Sequence, residues 1–309
     1  MPSTFLISLY IIGYTLTRLG ILPKIPFLDF SLAGTIIDIQ LGLIGTVAPS
    51  ITTLIFSVPF IICLIIIDRN NYFSNKSFLV ITILLSFIAI LTTFRRAIIL
   101  NLLLTPLVII FFISLSRWND KIKILLNFRK TMFIGIFFII GTMFFVNSTG
   151  IVNVKNTIIR ITSAFNSNKD LQDKGTKLRY NQIELLIKSW EQKPLFGHGH
   201  GSVSEYMIRN ENTPWLYELS YFALLFQTGI IGLIVYLGLL FWPIIKGIQL
   251  LKKGNTECNI YIMPCLVGYV FILIGNASNP YLASYDYSWS LFFPVTVINF
   301  FILNDKETS

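Results

Sequence analysis

The sequence predicts an all-α, polytopic integral membrane bundle, and three observations carry that prediction. Of the 309 residues 54% are apolar and only 13% charged, and the mean hydropathy is +0.71, well outside the range of a soluble domain. The apolar residues fall in continuous runs, not in alternation, so helices satisfy the backbone in lipid where a barrel pattern is missing. Lys and Arg gather in short stretches between runs, as in the cytoplasmic loops of multi-pass proteins.

Spans are expected at 5–19, 49–67, 78–93, 97–115, 131–147, 218–243, 259–275 and 288–303, each near the ~20 residues that cross the hydrocarbon. The first run has no basic stretch before it and no small-residue cleavage site, so it reads as a retained helix and not a removed signal peptide. Loop 116–130 carries Arg117, Lys121, Lys123, Arg129 and Lys130 against Asp120, and loop 244–258 carries Lys246, Lys252 and Lys253 against Glu257. Both are expected to be cytoplasmic, which places Arg69, Lys76 and both chain ends inside and the long 148–217 segment outside.

The stretch 31–48, SLAGTIIDIQLGLIGTVA, is apolar enough for a ninth span, but Asp38, Gln40 and its glycines favour an interfacial or re-entrant segment. A ninth span would move the N-terminus outside. The chain is thus expected to be one membrane domain: N-terminal transmembrane helices over 1–147, an extracytoplasmic loop with an amphipathic helix over 148–217, and C-terminal transmembrane helices over 218–309. Cys63, Cys258 and Cys265 have no spacing that suggests a disulfide or a metal site and read as packing residues. The net charge of +9 sorts by side of the membrane and calls for no nucleic acid. No matching halves with broken helices are visible, which counts against transport.

Polar chemistry concentrates around the long loop. Arg95 and Arg96 stand at the tip of a tight hairpin on the outside, against the positive-inside bias. Either they snorkel to lipid phosphates, or they hold a substrate phosphate through their two-pronged donor sets. Arg179 opens a helix in which Tyr180, Ile183, Ile187 and Trp190 share an apolar face and which Pro194 stops. Such a helix could lie on the membrane surface or close over the bundle, and Arg179 could equally be a solvated charge. PLFGHGHGS follows, with Gly197, Gly199 and Gly201 alternating with His198 and His200, the only two histidines. The glycines allow a sharp turn with N–H groups open to an anion, or a purely structural turn. A metal site lacks a third ligand, and a dinucleotide loop lacks its preceding strand. Glu218 opens the sixth span behind Trp215 and Tyr217, near the outer surface, as a first-turn acid or a functional one. Asn276, Asn279, Tyr285 and Asp286 form an outside loop that could complete the same pocket.

An outside arginine between two short spans, then R…W…PLFGHGHGS, then a span of the form E-x10-G-x2-G, resembles the O-antigen ligase and polymerase (Wzy-type) superfamily over roughly residues 90–235. The resemblance implies a bundle similar to GT-C-like glycosyltransferases. It implies that Arg96, followed by Ala97, is the tip arginine, that Arg179 is the loop arginine upstream of the turn, and that Pro194, Gly197 and Gly199 are the turn itself. Arg160, in RITSAF, resembles a further recurrent basic position. Where the ligases carry a histidine ahead of the helix glycine, this chain has Glu218 ahead of Gly229, a departure that points toward a polymerase. Members usually have more spans, so this chain is either compact or lacks N-terminal helices.

The implied function is polymerisation of O-antigen or capsule repeat units at the outer face of the bacterial cytoplasmic (inner) membrane. The donor is a polyprenyl-pyrophosphate-linked oligosaccharide, and the acceptor is a hydroxyl of another lipid-linked unit. Arg96, Arg179 and Glu218 are expected to be catalytic, with Arg95, Arg160, His198, His200, Gly197 and Gly199 contacting substrate. No metal or other cofactor is expected. Partners are the lipid bilayer, the lipid-linked donor and acceptor, and a chain-length regulator. The alternatives are a ligase acting on lipid A core or protein, and a flippase or exporter of the lipid-linked glycan.

Overall fold

The computed structural model describes residues 1–18, 20–23, 34–38, 43–47, 51–67, 76–93, 96–117, 174–207, 211–254 and 256–307. Eight helices lie among the described residues: α1 (Pro2–Arg18), α2 (Thr53–Ile67), α3 (Lys76–Thr93), α4 (Arg96–Leu115), α5 (Lys174–Trp190), α6 (Ser220–Lys253), α7 (Thr256–Ser278) and α8 (Trp289–Glu307). Two 3-10 turns, Tyr281–Ala283 and Tyr285–Tyr287, join α7 to α8. The span expected at 131–147, together with Arg95 and Arg160, lies outside the described residues.

The chain is a polytopic helical membrane protein. Four helices, α3, α4, α6 and α7, are long and apolar enough to cross a bilayer, and α2 and α8 add shorter apolar runs. The 31–48 stretch holds no helix among its described residues. It forms an antiparallel hairpin of β1 (Gly34–Asp38) and β2 (Leu43–Val47), with Gly34 paired to Val47 and Asp38 to Leu43. Thr35, Ile36, Ile37, Ile44, Thr46 and Val47 supply the β-branched side chains that suit strands. Five residues reach only about 17 Å, so neither strand is a ninth span.

Helix α6 runs ten residues past the boundary expected at 243, and Lys246, Lys252 and Lys253 ride on its last turns instead of in a loop. Lysines there complement the negative end of the helix dipole, and Gly254 caps it in the left-handed conformation at φ 82°.

Helix α7 is the centre of the bundle, with 83% of its apolar window buried against 22% for α6. Tyr269, Phe271, Leu266 and Val267 of α7 form one core with Leu54 and Ile55 of α2, Phe112 of α4 and Ile298 of α8. Where lipid replaces water, association rests on close packing and a few interhelical hydrogen bonds. The Ser8 and Ser86 hydroxyls meet at 2.9 Å between α1 and α3, and the Tyr269 hydroxyl donates to the Leu240 carbonyl at 2.9 Å between α7 and α6.

These contacts also fix which helix ends share a side. The Arg117 N–H, just past α4, donates to the Leu251 carbonyl near the end of α6 at 3.0 Å. At the other end, Asn101 Nδ2 of α4 donates to the Phe271 carbonyl of α7 at 3.4 Å, and the Ser220 hydroxyl of α6 donates to Asn276 Oδ1 of α7 at 3.4 Å. The start of α4 at Arg96, the start of α6 and the end of α7 therefore lie at one end of the bundle.

Candidate active site

Helix α5 lies against the first turns of α6 through a small core of Leu186, Tyr217, Ala223 and Phe226. The face it turns inward carries Gln182, Leu186 and Ser189, at 0%, 1% and 1% exposure. The apolar stripe expected from the spacing lies elsewhere on the helix. Tyr180, Ile183, Ile187 and Trp190 do share a side, but Tyr180 is exposed and the other three are only half-buried. Polar residues turn inward because α6 opens with backbone and side-chain groups that need partners.

Arg179 and Glu218 meet there. Arg179 Nε donates to Glu218 Oε2 at 2.8 Å, and the side chains are 36% and 23% exposed, so the pair is open to an approaching ligand. One residue on, the Leu219 N–H donates to Gln182 Oε1 at 3.3 Å. A backbone N–H can only donate, so this bond fixes which end of the amide faces Leu219 and leaves Gln182 Nε2 buried with no hydrogen-bond partner. Nearby, Asn276 Oδ1 accepts from Ser220 and, at 3.0 Å, from the Leu282 N–H. The Gln182 amide donor thus lies buried by the start of α6.

The glycine turn is placed by a kink in α6. At Gly229 the backbone has φ 68° and ψ −172°, which breaks the helical ladder. A regular helix would bond the N–H of Ile230 to the Phe226 carbonyl and that of Ile231 to the Gln227 carbonyl. Here all four groups pair with the turn instead. His198 N–H donates to the Phe226 carbonyl at 3.1 Å and Gly199 N–H to Gln227 at 2.8 Å, while Ile230 N–H donates to the Pro194 carbonyl at 2.9 Å and Ile231 N–H to Leu195 at 3.3 Å. Gly197 adopts φ 69° at the point of closest approach. The N–H groups of His198 and Gly199 are therefore spent on α6 and do not face an anion.

The histidines part company. His198 Nε2 lies 2.8 Å from the Ser189 carbonyl, so that nitrogen carries the proton and donates, and the ring rests on Phe226 with centroids 4.9 Å apart. His200 is exposed. Beyond the turn, the Tyr217 hydroxyl accepts from the Ser204 N–H at 2.7 Å, and the Ser204 hydroxyl meets that of Ser189 at 2.7 Å. Burial raises the Tyr217 phenol pKa, partly offset by the Ser204 N–H.

Of the residues expected at the site, Arg179 and Glu218 meet where α6 begins, whereas His198, Gly197 and Gly199 pack further along, against Ser189 of α5 and Phe226, Gln227 and Gly229 of α6. Arg96 begins α4 at the same end of the bundle. Gln182 was not singled out by its sequence. Its only signal is its position three residues after Arg179, which places both on one side of a helix.

Among protein families, the model described as O-antigen ligase (Wzy_C) matches residues 81–237, which run from α3 through the kink of α6. No curated protein and no solved structure matches the chain.

Proposed function

The chain belongs to the O-antigen ligase family, and from that premise we propose that it polymerises lipid-linked repeat units at the outer face of the bacterial cytoplasmic membrane. Family membership makes it a glycosyl-transfer enzyme in the broad sense. The finer reading is supported by one observation above all, the Arg179–Glu218 contact of 2.8 Å at the end of the bundle where α4 begins with Arg96. It gives one small site a cation suited to pyrophosphate and a carboxylate suited to a hydroxyl proton.

In this reading the donor is a glycan on polyprenyl pyrophosphate, and Arg96 and Arg179 take its phosphate oxygens. Arg179, drawn toward phosphate, loosens its hold on Glu218. Glu218 then accepts the proton of an acceptor hydroxyl whose oxygen attacks the anomeric carbon. The carbon–oxygen bond to pyrophosphate breaks with its electron pair on the leaving group, where the arginines neutralise the developing charge, and configuration inverts. The lysine-rich end of α6 faces the cytoplasm, as do both chain termini, and a chain-length regulator is a candidate partner.

The test is polymer laddering in cells carrying Arg96→Ala, Arg179→Ala or Glu218→Gln at matched protein levels. Each should collapse the ladder toward single units, and normal ladders in all three would overturn the assignment. Gene deletion separates the ligase reading, in which finished polymer stays on polyprenyl pyrophosphate, from polymerisation, in which single units accumulate.

A further inference from the structure

Among the described residues, the apolar side of α5 and the tip of the following turn are left largely uncovered, and the tip meets a membrane helix at its kink. Tyr180 is 56% exposed, Leu195 56% and Phe196 74%, with Ile183 and Ile187 half-buried between them. The Leu195 carbonyl accepts the Ile231 N–H, so the tip sits at the level of Ile230 and Ile231, themselves exposed on α6.

That level can be placed along α6. Its lysines, Lys252 and Lys253, mark one membrane surface, and about 20 residues of helix cross the hydrocarbon. Counting back about 20 residues reaches the region just past the Gly229 kink, so the kink stands at the opposite interface. Backbone away from a regular helix survives near lipid only when its polar groups are paired, and the exchange of four hydrogen bonds between turn and kink does this.

We propose that α5 and the Leu195–Phe196 tip are seated in the interfacial layer of the bilayer on the side where α6 begins, with the apolar stripe of α5 facing lipid. At about 100° per residue, Arg179 falls between the lipid-facing stripe of Tyr180, Ile183 and Ile187 and the bundle-facing stripe of Gln182, Leu186 and Ser189. Arg179 therefore stands on the seam between bilayer and site, where a phosphate anchored to a lipid chain arrives from the membrane plane. This last step rests on the function proposed above, whereas the seating in lipid does not.

Spin labels on Phe196→Cys and Ile187→Cys in the full chain, reconstituted in phosphatidylglycerol–phosphatidylethanolamine vesicles, test the seating without any substrate. The native Cys63, Cys258 and Cys265 are buried, and Glu184→Cys and His200→Cys serve as aqueous references. Power saturation should show the 187 and 196 labels relaxed more by oxygen than by a water-soluble nickel chelate, and the references the reverse. A 196 or 187 label relaxed mainly by nickel would overturn the proposal. So would one shielded from both reagents, which would mean that protein, such as a second copy of the chain, covers this face. A parent protein that shows this lipid contact yet never lengthens lipid-linked units would fault the functional reading alone.

Discussion

Gly197 and Gly229 face each other backbone to backbone. A Cβ added to Gly197 would fall 2.5 Å from the Gly229 nitrogen, and one added to Gly229 would fall 2.2 Å from the Leu195 carbonyl oxygen. Both residues hold positive φ, near 69° and 68°. Alanine at either position meets left-handed strain of about 1–2 kcal/mol and, in addition, a collision with backbone that cannot swing aside. Gly199 and Gly201 also have positive φ, but an added Cβ there meets nothing within 4 Å. Thermal unfolding in nanodiscs should therefore rank Gly229→Ala and Gly197→Ala as clearly more damaging than Gly199→Ala and Gly201→Ala. Equal effects across the four would contradict the interlock of turn and kink.

The ion pair should matter little for stability. Partly exposed pairs contribute about 0–1 kcal/mol, so Arg179→Ala and Glu218→Gln are expected to unfold within that margin of the parent. Their activity should fall by about two orders of magnitude, the scale of a lost general base. A large loss of stability in either variant would recast the pair as structural.

These two predictions also mark how much was legible in the sequence. The spans, the loop helix and the order Arg179, glycine turn, Glu218 follow from apolar runs and residue types, because lipid imposes a strong constraint on composition. The use of the glycines does not. Gly197 and Gly199 suggest N–H groups held open to an anion, yet their turn completes the broken ladder at Gly229, a pairing across 28 to 36 positions that no local pattern encodes. The inward face of α5 was hidden for a related reason. Tyr180, Ile183, Ile187 and Trp190 mark an apolar stripe, but periodicity does not say whether lipid or protein covers it. Gln182 and Ser189 look like ordinary polar positions until the unpaired start of α6 is set against them. The β1–β2 hairpin has the same lesson in another form, since an apolar stretch too irregular for a helix still carries enough β-branched residues to pair.

For the histidines the prediction separates the two. His198→Phe keeps the ring on Phe226 and loses the bond to the Ser189 carbonyl, which should cost about 0.5–1.5 kcal/mol. His200→Ala, at an exposed position, should lie within about 0.5 kcal/mol of the parent. Chemical or thermal unfolding checks both, and a larger cost at His200 than at His198 would contradict the geometry.

Gln182→Glu preserves an oxygen for the Leu219 N–H and removes the free amide donor. The side chain is fully buried, so the introduced carboxylate should cost at least about 1–3 kcal/mol in thermal unfolding. Unfolding at the parent's midpoint would mean that this position opens to water.

In the proposed reaction Arg179 and Glu218 act together on a lipid-linked glycan. The most direct measurement is chain lengthening by purified protein in vesicles, supplied only with a polyprenyl-pyrophosphate-linked repeat unit, with parent, Arg179→Ala and Glu218→Gln compared at equal folded amounts. The parent should lengthen chains without added nucleotide or divalent metal, and both variants should bind vesicles normally yet leave the units single. Lengthening by both variants at the parent's rate would contradict the account.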